Sequence, residues 1–294
     1  MPSPTPGSGS DWLLVDGSSL IFRAFYGVPR SVRSPSGELV NAVRGFLETL
    51  ARLVSSRNPG HIAVAGDEDW RPAWRVALLP AYKAHRTDEP VPPELEPQMP
   101  VIDEFLEAIG VDTGGVADYE AEDVIATWTS KIDGTVAIAS GDRDLFALVE
   151  DPRVVVLYPE RSGLATIDEA EITRRYGVPG RTYGDFAMLR GDPSDGLPGL
   201  RGVGATSAAQ LIRKHGGVAG FLRDGSLSDA DRAYLESAMR VVPPVADLDI
   251  AVPAGRRDAY PADARRLAAL TAAHGVQVAA EHLVHALSSS LAAL

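Results

Sequence analysis

The sequence predicts an α/β fold: a mostly parallel central sheet flanked by helices and followed by a helical region. Three observations predict it. Four short β-rich runs end at or near charged turns, segments with helical spacing lie between them, and strand signals stop near residue 180, where the chain begins to alternate helices with Gly/Pro turns. The runs are Trp12 to Val15, His61 to Ala65, Thr135 to Ala139 and Val154 to Tyr158. Helical spacing marks Leu39 to Val54, Met99 to Ile109 and Ala121 to Trp128, so strands and helices alternate as a parallel sheet requires. Then come a helix from Tyr183 to Leu189, the turn run GDPSDGLPGLRGVG and a helix from Ala205 to Lys214. Beyond Asp224 the pattern stays helical. It is broken by Val242-Pro243-Pro244 and by Pro253 to Pro261, with one strand expected near Leu248 to Val252 and an amphipathic helix pair from Leu267 to Leu294.

The 294 residues suffice for one large domain or two modest ones, and 45% hydrophobic with 23% charged residues is the composition of a soluble globular chain. There is no cysteine, which removes disulfides, thiolate zinc sites, iron–sulfur clusters and cysteine nucleophiles together. A metal would need oxygen or imidazole ligands, and the six histidines (61, 85, 215, 274, 282, 285) show no metal spacing and read as structural or surface residues. Residues 1–10, MPSPTPGSGS, read as a disordered tail without the features of a signal peptide. No run of about 18 apolar residues exists. The expected address is the cytoplasm with no membrane partner. The expected division is residues 11–182 for the α/β unit and 183–294 for the helical region. Between the second strand and the helix at Met99 lies WRPAWRVALLPAYKAHR followed by TDEPVPPELEP, basic and aromatic first, Pro-rich and acidic second, a long insertion of the mobile or functional kind.

In an open parallel sheet, ligands bind beyond the carboxyl ends of the strands at the switch point. Asp16 ends WLLVD, Asp67 ends HIAVAGD, and Asp142 and Asp144 follow TVAIASG, so these four carboxylates converge. DYEAEDVIA adds Glu120, Glu122 and Asp123, whose other reading is a helix N-terminus favoured by the dipole. GDPSD adds Asp192 and Asp195, whose other reading is an ordinary turn. Carboxylates brought together cannot all stay ionised without a counter-charge. Oxygen-only ligation selects Mg²⁺ or Mn²⁺, and two such ions about 4 Å apart would activate water and stabilise the leaving oxygen of a phosphodiester. The net charge of −12 argues against a nucleic-acid partner until these acids are set aside. Nine of the 40 acids belong to the five groups, leaving 31 against 28 Lys and Arg.

The ordered blocks LLVDGSSLIFRAFYG, VAGD with WR and YKAHR, YEAEDVIA, ASGDRDLFALV and LRGDPSDGLPGLRGVG, spanning about residues 12 to 215, resemble the 5′-nuclease or flap-endonuclease superfamily, specifically the stand-alone bacterial type similar to the 5′-3′ exonuclease domain of DNA polymerase I. The resemblance implies a helical arch near residues 70–98 and a helix-three-turn-helix DNA-binding motif over about 183–222. It implies that Asp16, Asp67, Glu120, Glu122, Asp123, Asp142, Asp144, Asp192 and Asp195 ligate two or more Mg²⁺ or Mn²⁺ ions, that Lys83 and Arg86 act on the scissile phosphate, and that Tyr82 stacks on a terminal base. Spacing alone puts Lys83 and Arg86 on one helical face, a solvated basic face being the other reading, and Arg75 would extend that face; Tyr82 could equally be core. Gly202 and Gly204 let backbone N–H groups approach a phosphate, with Arg213 and Lys214 adding contacts, and the resemblance implies a K⁺ site among the loop carbonyls. The chain departs from the family in Glu122, where Asp is usual, in a spacer one residue longer between Asp67 and Arg75, and in ATSAA where EKTA is frequent.

The expected partner is branched or nicked duplex DNA with a 5′ single strand, together with replication or repair proteins. The expected activity is 5′-flap endonuclease and 5′-3′ exonuclease cleavage. The rivals are an RNA nuclease of the related PIN-like fold, a catalytically silent DNA-junction binder and an acidic Ca²⁺-binding structural protein, the last weakened by the absence of EF-hand spacing.

Overall fold

The computed structural model describes residues 10–87, 91–161, 163–224 and 226–292. All but the last residue of the expected N-terminal tail, and residues 88–90 of the expected arch, therefore lie outside the described residues. The four expected strands form as β1 (Trp12–Asp16), β2 (His61–Ala65), β4 (Val136–Ala139) and β5 (Val154–Glu160), joined by β3 (Asp112–Gly114) and β6 (Gly163–Ile167) in one sheet of order β3-β2-β1-β4-β5-β6. All pairings are parallel except β5 with β6. β3 has three residues and β6 is mostly exposed, so neither carries a strong apolar run.

Two apolar layers cover the sheet. Leu13, Val15, Ala137, Ala139 and Leu157 point to one face, packed by α1 (Gly17–Gly27), α2 (Asn41–Arg57), α4 (Gln98–Ile109), α11 (Ala264–His274) and α12 (Gln277–Ala292). Leu14, Ile138, Val154 and Val156 point to the other, packed by α5 (Ala121–Lys131), α6 (Glu169–Tyr176), α7 (Tyr183–Arg190), α8 (Ala205–His215) and α10 (Asp229–Val241). The period-2 alternation along β1 is what divides the layers. Two short helices, α3 (Ala73–Leu78) and α9 (Val218–Asp224), complete the fold, and no described helix is long and apolar enough to cross a membrane.

The expected strand near Leu248 to Val252 does not form. Its carbonyls are taken by side chains instead: Lys131 Nζ donates to Leu248 and Ile250, and Trp128 Nε1 donates to Ala251, so the segment is strapped along α5 and never reaches a sheet edge.

Candidate active site

β1 leads to β2 on one side while β4 enters on the other, so the crevice lies beyond the carboxyl ends of β1 and β4. Asp16 ends β1 and caps α1, accepting from Ser19 N at 3.0 Å. Its other oxygen accepts from the Ser140 hydroxyl at 2.5 Å, and Ser140 Oγ in turn accepts from Asp142 N at 2.8 Å. Ser18 Oγ accepts from Asp67 N and Ser19 Oγ from Gly141 N, each at 3.0 Å, so the two serines after Asp16 tie three strand ends together. Asp67 and Asp142 then each receive a backbone N–H, from Ala121 at 2.7 Å and Asp144 at 3.0 Å.

The acidic segment 120–123 is both a helix start and part of the cluster. Glu120 is the N-cap of α5 in a capping box with Asp123, and Glu122 faces the crevice, where its carboxylate and those of Asp142 and Asp144 have oxygens within 4.8 Å of one another. Asp123 departs from the ligand role. Both its oxygens are occupied, by Arg75 at 2.7 Å and Val245 N at 2.8 Å on one and by Glu120 N on the other, and it is fully buried behind the cluster. Asp192 and Asp195 close the far wall. Arg143 reaches both Asp192 oxygens at 3.2 and 3.1 Å, while Asp195 Oδ1 is buried with no hydrogen-bond partner among the described residues.

The basic residues are placed differently from the expectation of one helical face. Pro80 follows the end of α3, and residues 84–87 form only a short 3-10 turn. Lys83 itself takes a left-handed backbone (φ 47°) with its N–H donated to Asp195 O at 3.0 Å. Gly196 makes this approach possible, since a Cβ there would lie 2.1 Å from Ala81 O. Lys83 is thereby buried, its Nζ paired with Glu120 and 3.9 Å from Asp195, while Arg86, 37% exposed at its side chain, donates to Ser194 O and stands 3.5 Å from Asp195.

Two residues assigned to DNA by the sequence are interior. Arg75 is wholly buried: it pairs with Glu120 and Asp123, lies 3.2 Å from Glu122 and donates to Val241 O. Tyr82 is 2% exposed and its hydroxyl donates to Glu120 at 2.6 Å. Unsatisfied buried acids in the next layer draw these donors inward, which corrects both roles. Gly202 (φ 79°) and Gly204 are exposed, and an added Cβ at either would meet nothing within 4 Å. Gly204 caps α8 without a side-chain hydrogen bond; Arg213 donates to Gly177 O at 2.9 Å and Lys214 is exposed in the last turn of α8.

Nine carboxylates thus face five basic partners, Arg75, Lys83, Arg86, Arg143 and Arg190. Burial, then the neighbouring charge of Asp67, pushes Asp16 up to about 7. Burial also holds Glu122, beside Glu120, and Asp144, beside Asp195 and Asp142, well above the ordinary carboxylate range. An oxygen-only donor set with excess negative charge, including an Asp195 oxygen that accepts no hydrogen bond among the described residues, fits hard divalent cations. A pH prediction follows from the signs. The unfolded chain loses the Asp16 proton near 3.8 and the folded chain near 7, so the cation-free protein should lose stability as pH rises through that window. A divalent cation relieves the repulsion, so thermal melts with and without Mg²⁺ should show a larger stabilisation at pH 8 than at pH 6.

The family described as 5′-3′ exonuclease, N-terminal resolvase-like domain, matches residues 11–177. The chain belongs to the 5′-3′ exonuclease family. Within it, a 5′-3′ exonuclease of Streptomyces coelicolor is 46% identical over 277 residues, covering 84% of this chain and 92% of that protein. A DNA polymerase I of Mycobacterium bovis is 38% identical over 239 residues, 78% of this chain but 26% of the polymerase. At the level of fold, a bacteriophage T5 flap endonuclease solved with DNA and metal ions superposes with a TM-score of 0.65 at 18% identity, covering 95% of this chain and 99% of that one. Ser140 and Arg143, which bond to Asp16 and Asp192, are site residues that the sequence patterns above do not single out. Ser140 was legible as the residue two before Asp142 in SGDRD; Arg143 became visible only once the 192–195 turn was placed beside it.

Proposed function

We propose that the chain is a 5′ nuclease acting on branched or nicked duplex DNA with a 5′ single strand, using Mg²⁺ or Mn²⁺. The observation that carries this reading is the convergence of Glu122, Asp142 and Asp144 within 4.8 Å at the sheet's switch point, in a chain of the 5′-3′ exonuclease family. Glu122, Asp142, Asp144 and Asp195 would hold the cations, with Asp16, Asp67 and Asp192 completing the acidic wall. When bound, such ions supply a water of lowered pKa and neutralise charge on the phosphate and the leaving oxygen.

The chain's own residues position the strand. Arg86, on the rim beside Asp195, would meet a phosphate entering the crevice, and Lys83, paired with Glu120 and 3.9 Å from Asp195, would add a second positive charge at the same wall. The turn-rich segment between α7 and α8 serves as the helix-three-turn-helix motif. Its exposed Gly202 and Gly204 present N–H groups at the start of α8 to the downstream backbone, a grip that reads no sequence, and Arg213 and Lys214 extend it. The loop carbonyls there are the proposed K⁺ ligands.

Lys83→Met should lower the single-turnover rate on a 5′-flap duplex by roughly a hundredfold, the scale of losing one preorganised charge. Binding of the same duplex in Ca²⁺ should change far less. Equal losses in binding and rate would contradict a role confined to the reacting phosphate. Comparing a DNA flap with RNA of the same shape tests the substrate class directly: faster cleavage of RNA would overturn the DNA assignment.

A further inference from the structure

The chain has four tryptophans, and contacts within the fold account for three of them. Trp128 is buried and donates from Nε1 to Ala251 O at 3.0 Å. Trp74 donates to Asp118 O at 3.1 Å and lies under the Arg75 guanidinium, while Trp12 stacks on His61 with ring centroids 4.6 Å apart. Trp70 is 37% exposed and belongs to neither apolar layer, and among the described residues it has no ring contact and no hydrogen bond at its indole nitrogen.

Trp70 stands three residues beyond Asp67, on the loop 66–72 that leaves the carboxyl end of β2, the sheet edge that carries the acids. That loop is fastened on both sides of it. Asp69 N donates to Tyr119 O at 3.3 Å, one residue before Glu120. Arg71 donates from Nε to Tyr82 O at 2.7 Å and from Nη2 to Pro80 O at 3.1 Å, just ahead of Lys83, and its N–H closes onto Asp69 Oδ1 at 2.9 Å. An exposed ring on a turn braced in this way has little freedom left to lose when a ligand covers it. The spacer from Asp67 to Arg75, one residue longer than is usual in the family, runs through this loop, and Tyr82, the ring expected to stack on a base, is interior.

Resting on the 5′-nuclease assignment, we propose that the Trp70 indole stacks on an unpaired base of the 5′ single strand as that strand enters the crevice. A base fits better than a phosphate because the loop sets two carboxylates, Glu68 and Asp69, against the single guanidinium of Arg71. That balance of charge repels a phosphate backbone, whereas the face of an indole accepts any base. The contact favours unpaired over paired DNA, because a paired base keeps its faces inside the duplex stack, and it reads no sequence.

The test is a tryptophan-fluorescence titration of the full chain in Ca²⁺ with a 5′-flap duplex and with the same duplex carrying abasic residues through its flap. The parent should be quenched by the base-bearing flap and should bind it about tenfold more tightly than the abasic one, the scale of one base–aromatic stack. Trp70→Ala should lose the quenching and bind the two flaps alike. Trp70→Phe should lose the quenching yet keep most of the preference, since a ring remains. The dependence of affinity on salt should have the same slope in all three proteins, because no phosphate contact is removed. Undiminished preference for the base-bearing flap in Trp70→Ala would overturn the proposal, and so would a lowered thermal melt in that variant, which would make the ring structural. A parent chain that distinguishes neither flap from the other would overturn it as well, with the nuclease assignment intact if the flap is still cut in Mg²⁺. A parent chain that neither binds nor cuts either flap would overturn the nuclease assignment and the stacking with it.

Discussion

Asp144→Asn is expected to lower incision of a 5′-flap duplex by roughly a thousandfold, the upper range for removing one preorganised electrostatic group from a reacting centre. Asp144 is 6% exposed and shares a space of under 4.8 Å with Glu122 and Asp142, so its carboxylate has no route to solvent compensation. The amide is isosteric but neutral, and cannot replace a carboxylate toward a hard cation. The same substitution should stabilise the cation-free protein. Burial and the charges of Asp195 and Asp142 raise the Asp144 pKa well above normal, so the native residue loses folding stability as pH climbs, and asparagine removes that loss. Urea unfolding in EDTA should therefore show a gain that grows from pH 6 to pH 9. Loss of activity with no such gain would mean that Asp144 is not held in the crowded acidic site described.

Arg75→Met is expected to cost about 3–5 kcal/mol of stability, the range for removing one partner from a buried ion network. Arg75 is 0% exposed and is the cation for Glu120 and Asp123 together, close to Glu122, with a further bond to Val241 O that joins α3 to the end of α10. Lys83 alone would remain against these acids. Chemical denaturation at pH 7 measures the loss. Because Arg75 does not reach the surface, the salt dependence of DNA binding by the residual folded fraction should keep its slope. A shallower salt slope with unchanged stability would restore the DNA contact expected from the sequence.

The difference between these two residues marks what the sequence could express. The strands that lead into Asp16, Asp67 and Asp142 were legible because apolar β-rich runs stop at or just before an acid, and a parallel sheet brings such ends together whatever else the chain does. The inward placement of Arg75, Tyr82 and Lys83 was not. Spacing of three or four predicts a shared helical face, but α3 stops at Leu78 and the next segment is pinned to the 192–197 turn through Gly196. That contact joins positions more than a hundred residues apart, and no local pattern encodes it. Asp123 shows the same limit, since its neighbour Glu122 faces the crevice while Asp123 is committed to Arg75 and Val245 N. β3 and β6 were missed because short or exposed edge strands lack an apolar run. The segment near Leu248 misled for the opposite reason: it is apolar but strapped by Lys131 and Trp128.

The most direct test of the account is cleavage of an end-labelled 5′-flap duplex by the full chain in Mg²⁺ or Mn²⁺, in EDTA, and with Asp142→Ala. Incision near the junction that requires the cation and disappears in the variant is the predicted result. Tight binding of the flap without incision in either cation would contradict it, and would leave a junction-binding protein whose converged acids serve no chemistry.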